Sequence, residues 1–406
     1  MEYSSNSASN TRNSHSGQSM SASASASALA VIGLFFVASP ALAAPILGSA
    51  QDFAIVANTY TSGGGGNIVH GNVIAKTYAS TGAGSTINGN YRSGDVLTLG
   101  DGATVNGNAE SNEAGTATAN TTVTGNLVVG GVGTMGDNSH VEGNFISGLD
   151  GTIGAHGVLD GNWEVGAGSV AAASFTSNKV VGDAVDTVQP YLDGVKQAIQ
   201  SDMVAATNDL IAAKATLTGM GLGVQLAATM TVDSTFYAGV YSAASWSTTA
   251  GTTLTLDGQG LDDAMWVFNI ADILVFGGVS TVELFNVGTN AQVYWNVGSA
   301  QSPGGYVSVG AGADITNRTH IVGVILADTY VDVYANATVH HASAADGNCA
   351  GVYSTTSFVA IHAGAIVGSE GCATGENIPE PMTYTMLLAG LGLMGFVSRR
   401  RAKKAA

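Results

Sequence analysis

The chain has 406 residues, of which 45% are hydrophobic and 10% charged, with 56 glycines, two cysteines and a formal net charge of −17. That length allows one large or two ordinary domains, and a composition so rich in small and β-branched residues suits stacked strands rather than exposed helices. The acidic balance excludes nucleic acid as a partner, because phosphates demand Lys and Arg, and fits a cationic or neutral partner instead.

Residues 1–44 read as a secretory signal region. An apolar run over 29–43 ends in Ala41-Leu42-Ala43, the small-residue pattern of a cleavage site. The leader before it is long, Ser-rich and carries only Arg12, which points to a misassigned start codon or an atypical signal.

A repeat follows. Gly-Asn recurs every eighteen residues, at Gly71-Asn72, Gly89-Asn90, Gly107-Asn108, Gly125-Asn126, Gly143-Asn144 and Gly161-Asn162. A fixed period of this size marks a solenoid, in which each coil buries its apolar residues only against its neighbours. Eighteen residues divide into three short strands, so the expected section is triangular. Val69, Ile87, Val105, Val123, Val141 and Leu159 fall two before each glycine and are expected inside. So are Val73, Tyr91, Ala109, Leu127, Phe145 and Trp163 after each asparagine. The Gly-Asn pair itself is read as a corner: Gly for positive φ, Asn for the left-handed region and a bond to its own backbone, with stacked amides forming a ladder. Ser80, Thr98, Thr116, Thr134 and Thr152 share one phase, and Thr86, Thr104 and Thr122 another. The first set predicts a Thr row on adjacent rungs about 4.8 Å apart. Such a row is either a run of good strand formers whose hydroxyls bond each other, or a flat, weakly charged array that orders water.

The period changes over 183–217. Val185, Val188, Leu192, Val195, Ile199, Met203, Ala206, Leu210, Ala213 and Leu217 are spaced by threes and fours, which predicts an amphipathic helix lying on the side of the solenoid. Pro190 either starts or kinks it, and Gly219 and Gly221 end it. Residues 222–374 return to strand patterns, as in "TTLTLDGQG" at 252–260 and "HIVGVILADTYVDVYANATVHHASA" at 320–344. Cys349 and Cys372 are a disulfide candidate in an exported chain, worth about 3 kcal/mol if formed.

Residues 375–406 form a third segment. Pro379-Glu380-Pro381 is followed by an apolar stretch over 382–397 and a basic cluster with Arg399, Arg400 and Arg401. This order resembles the PEP-CTERM sorting signal of Gram-negative bacteria. The resemblance implies recognition by an exosortase-type enzyme, with transient membrane anchoring and delivery to the cell surface or extracellular matrix.

"LGSAQDFAIVA" (47–57), "GVYSAASWSTTAGTTLTLDGQGLDDAMWVFNIAD" (239–272), "AQVYWNVGSA" (291–300) and "IVGVILADTYVDVYANATVHHASA" (321–344) resemble the bacterial and fungal ice-binding-protein-like domain. The resemblance covers most of 46–374. It implies a mainly β fold, a discontinuous right-handed triangular β-solenoid with one long α-helix packed alongside, and ice binding through a flat Thr/Ser-rich face. The domain is expected over 45–374, with repeat coils at 45–178, the helix at 183–217 and later coils at 222–374. The candidate ice-contact residues are Thr98, Thr116, Thr134 and Thr152, then Thr86, Thr104 and Thr122. Ser245, Ser247, Thr249, Thr253 and Thr255 are expected to form an equivalent patch in the later coils.

Two rival readings come from other classes. A surface or biofilm-matrix adhesin binding exopolysaccharide would need exposed aromatics, for which Tyr330 and Tyr334 are candidates if they do not pack inward. An enzyme would need clustered carboxylates and bases, and the chain offers only Asp262-Asp263 in a turn and a few dispersed Lys and Arg. His320, His340, His341 and His362 show no metal-ligand spacing, and no nucleophile elbow or phosphate loop occurs. No catalytic residue, cofactor or metal is expected.

Overall fold

The computed structural model describes residues 46–166, 170–172, 175–181, 185–298, 304–340 and 351–369. The secretory segment, both cysteines, His341 and the PEP-CTERM segment lie outside the described residues.

Short parallel strands stack one coil apart on three faces, as the period predicts. Two of the faces belong to one 25-stranded sheet, and the third is a separate 13-stranded sheet. The chain enters the stack in its middle, at the strand Phe53–Ala57. It advances in one direction by eighteen-residue coils, with Val73 paired to Tyr91, Ala109 to Tyr91 and Ala109 to Leu127. Helix α1 (Val185–Gly219) follows, and the strand Val224–Gln225 restarts the solenoid at its opposite end. The later coils then return towards the middle. Tyr241 pairs with Phe268 and Phe268 with Trp295, so two of these coils take 27 residues each, whereas the first, from Val224 to Tyr241, takes 17. The last of them closes the gap, with Ile55 on Val352, Thr61 on Val359 and Ile68 on Ile366. The two halves therefore share one continuous core although the helix separates them in sequence.

Both predicted inward columns are buried, from Val69 to Leu159 and from Val73 to Trp163. Ring volume is balanced inside each coil. A Cβ on Gly133 would lie 2.8 Å from the Phe145 ring, and one on Gly151 would lie 2.8 Å from Trp163 Nε1. Where the lower coils are wider, three stacked rings fill them: Phe268 lies 5.8 Å from Trp246 and 4.2 Å from Trp295.

The Gly-Asn corner works differently from the expectation. Only Gly71 among the six glycines has a positive φ, and none of the paired asparagines does. The glycines are required by close approach: a Cβ on Gly89 would sit 2.6 Å from the carbonyl carbon of Gly71 one coil below. The asparagines do form the expected coil-to-coil ladder, made mainly to backbone N–H groups of the next coil and not to their own backbone. Asn72 Oδ1 accepts from the Asn90 backbone N–H at 2.8 Å, and the pattern continues through Asn108, Asn126 and Asn144 to Asn162. The left-handed positions form another column, Gly66, Gly84, Gly102, Asn120, Asn138 and His156.

The helix spans Val185–Gly219, two residues further along at each end than predicted, and Pro190 lies inside it. Val188, Leu192, Ile199, Met203, Ala206, Leu210, Ala213 and Leu217 are buried against the first face, the one that carries the strand Phe53–Ala57, on Val128, Ile146, Ile74, Val267 and Leu326 among others. Polar anchors fix its position. Arg92 bridges Glu110 and Asp202 at 2.8 Å each. Lys214, itself buried, donates to Asn296 Oδ1 at 2.9 Å and the Val297 carbonyl at 2.6 Å, and pairs with Asp328 at 3.2 Å.

Candidate functional site

Covering the first face with the helix leaves two faces to solvent. The 13-stranded sheet forms the main candidate. Ser62, Ser80, Thr98, Thr116, Thr134 and Thr152 are in register on six successive rungs. Their in-strand neighbours, such as Leu97, Leu99, Ala117 and Met135, point into the core and are buried. The column stands outward because strand side chains alternate, at a rung spacing of about 4.8 Å. Thr is branched at Cβ, so each side chain is held in few rotamers.

The four threonine hydroxyls of this column make no hydrogen bond within the protein among the described residues, unlike those just off it. Thr118 Oγ1 donates to the Leu99 carbonyl at 2.8 Å and Thr121 Oγ1 to the Thr118 carbonyl at 2.8 Å. The column hydroxyls do not bond each other, and they are left to solvent. No Asp, Glu, Lys, Arg or His stands in the column on the six rungs, although the exposed rings of Tyr60 and Tyr78 lie two residues before Ser62 and Ser80.

The same column continues into the later coils and changes character. Beyond Ser62 it runs Ala360, Asp332, Ser308, Val275, Ser247 and Thr229. Burial raises the Asp332 carboxyl above its ordinary pKa, while His362, 3.7 Å away, pulls the other way. Thr229 and Ser247 hydrogen-bond each other at 3.1 Å. Beside this stretch Tyr306, Tyr330, Phe358 and Tyr60 stack along the solenoid axis, with centroids 4.6, 5.1 and 4.8 Å apart and planes within 11°. Neither Tyr330 nor Tyr334 enters the core; Tyr334 lies exposed on the His362 ring at 4.7 Å. Rings stacked like coins offer their edges to solvent, whereas a sugar needs a ring face.

The second set, Thr86, Thr104 and Thr122, is in register on the adjacent face with His140 and Val158 following. That face is less uniform: His140 pairs with Asp160 at 2.8 Å, and Thr255 donates to Glu283 at 3.1 Å. Its later part brings the rings of His320 and His340 to 4.0 Å, and desolvation lowers the His320 pKa against the pull of Glu283. Among the described residues no group of His, Cys, Asp or Glu could hold a metal ion. Asp262 and Asp263 are engaged in their turn, by Thr289 and Asn290 at 3.0 Å.

The expected patch in the later coils does not form. Ser247 belongs to the threonine face, Thr249 sits past the end of its strand Trp246–Thr248, and Thr253 and Thr255 are on the adjacent face. The spacing of these positions by twos and one four cannot show that a corner intervenes. Ser62 and the lower continuation of the column were missed, although Tyr60-x-Ser62 and Tyr78-x-Ser80 repeat at eighteen.

A sequence model of the family described as Ice-binding-like matches residues 116–350, and one of the PEP-CTERM protein-sorting motif matches 377–401. Similar solved structures include an ice-binding protein from the Antarctic ascomycete Antarctomyces psychrotrophicus, at 15% identity over 79% of this chain and 96% of that one, with a TM-score of 0.37. An antifreeze ice-binding protein from an Arctic yeast has 17% identity over 82% and 96%, with a TM-score of 0.35. A domain of Shewanella frigidimarina ice-binding protein 1 has 21% identity over 55% and 92%, with a TM-score of 0.33. No curated protein matches the chain.

Proposed function

This chain belongs to the ice-binding-like family, and from that premise we propose that it binds ice through the threonine face, on the six rungs from Ser62 to Thr152. The observation that carries the reading is the column of charge-free hydroxyls that the protein itself leaves unbonded. Thr methyl groups favour an ordered water layer over them, and the free hydroxyls anchor it. A face held rigid by strand stacking and stiff rotamers has little side-chain entropy to lose, so weak contacts repeated along the column accumulate. Thr86, Thr104 and Thr122 form a secondary candidate, interrupted by charge.

The PEP-CTERM motif implies secretion and sorting. The finer itinerary belongs to the proposal: an exported solenoid over 45–374, preceded by a signal region over 1–44 and followed by an exosortase-recognised segment over 375–406 that anchors it transiently. Among the described residues no helix is long and apolar enough to cross a membrane. Nothing in the arrangement of Tyr306, Tyr330 and Phe358 favours a polysaccharide ligand, since their faces are occupied by one another.

Thermal hysteresis and ice-recrystallisation inhibition of the purified protein test the reading. Faceted crystals and suppressed recrystallisation are expected. Unchanged ice growth at high protein concentration would sink it.

A further inference from the structure

The end of the solenoid built by residues 222–237 is open. Its strands Val224–Gln225, Thr229–Met230 and Ser234–Tyr237 each pair on one side only among the described residues, with the coil above. Three strand edges therefore face outward around one triangle. Leu222, Val224, Val232 and Tyr237 are each more than half exposed there. Proteins blunt such edges with Lys, Pro or inward charges, yet this coil contains no Lys, Arg, Glu or Pro. Its one charge, Asp233, is turned back on the solenoid, accepting from the Thr253 N–H at 2.8 Å.

We infer that this end is an interface with a second copy of the same chain, joined end to end about a two-fold axis perpendicular to the solenoid. The occupant must present three strand edges along the sides of a matching triangle, which a peptide or a globular surface does not. A two-fold of this kind reverses the winding direction, so every edge strand meets an antiparallel partner and the contact closes at two copies. Charge favours the same occupant. Two chains of net charge −17 repel over most of their surfaces, and this apolar coil offers them a neutral place to meet.

Sedimentation velocity and light scattering on the full chain test this. The expected result is a species of twice the monomer mass that dissociates on dilution. Val224→Lys combined with Val232→Lys, at exposed positions, is expected to give monomer with an unchanged circular dichroism spectrum. A wild type that stays monomeric at every concentration overturns the inference. So does a dimer that persists in the double variant, which places the contact elsewhere, and so do species that keep growing with concentration, which mean head-to-tail chaining. If the double variant loses its fold, Thr229→Lys on the edge strand of the threonine face provides the same readout.

Discussion

The eighteen-residue coils and the uneven later coils share one core and one outward face, yet they present different surfaces. In the regular half every coil repeats Gly-Asn at one corner, and at the fixed distance this imposes the column holds only Ser or Thr. In the later half the coil length varies, from 17 residues between Val224 and Tyr241 and 18 between Thr319 and Ala337 to 30 between Tyr294 and Val324, and the same column holds Asp332, Val275 and paired hydroxyls beside a strip of aromatic edges. Strand stacking provides a flat face in both halves; only strict repetition keeps it chemically even. Ice contact, as proposed, therefore belongs to the regular half.

The sharpest way to break that comparison is a bulky residue on each half. Thr116→Tyr stands between Thr98 and Thr134 and lifts a crystal plane off the column. Thermal hysteresis should be abolished, because the ring holds the plane off the neighbouring rungs, while circular dichroism stays unchanged. Ser308→Tyr, on the same column in the later half, should leave hysteresis within about twofold, the scatter ordinary for surface changes. Equal losses from both variants would spread the contact over the whole face; a loss from Ser308→Tyr alone would move it to the later coils.

The two halves also differ in what holds them together, and the next effect concerns the helix anchor of the later half. Lys214 reaches Asn296, the Val297 carbonyl and Asp328 from a buried position. Lys214→Met leaves Asp328 and two polar acceptors without their donor. The expected cost is about 3 kcal/mol in urea unfolding, the scale of a broken buried pair. In the regular half the matching device is the corner ladder. Gly125→Ala pushes a Cβ to 2.7 Å from the Gly107 carbonyl carbon, a backbone atom that cannot turn aside. It should cost about 2 kcal/mol, the range of overpacking. A neutral result would mean that neighbouring coils can part without penalty.

Much of this was legible in the sequence, for reasons that differ between the halves. The period of eighteen gave the rungs, both inward columns and the Thr98–Thr152 register, because a solenoid converts sequence distance directly into stacking. Heptad-like spacing gave the helix to within two residues. The role of the corner glycines was not legible, since positive φ and close approach both select Gly. Nor was the split of Ser247 from Thr253: without a strict period, nothing in the later half marks where one face ends. Lys214 looked like one of a few scattered bases, because burial against Asn296 and Asp328 depends on contacts 82 and more residues away.

The smallest expected effect is a pH response confined to the later half. His320 faces His340 and lies near Glu283 on the outer face, and desolvation outweighs the Glu283 charge to lower its pKa from 6.5. The unfolded chain therefore binds a proton at His320 before the folded one does. The stability this residue contributes is complete above its unfolded pKa and is lost as pH falls from there through the lowered folded value. The urea midpoint should fall between about pH 7 and about pH 5, and His320→Asn should show a smaller fall over the same interval. Hydrogen exchange places the response: amides of the strands Thr319–Val322 and Ala337–His340 should lose protection on acidification, while those around Thr98 and Thr116 keep theirs. If both halves loosen together, or if His320→Asn follows the wild-type profile, then the acid response does not originate at this ring, and the two halves do not differ in the way their surfaces do.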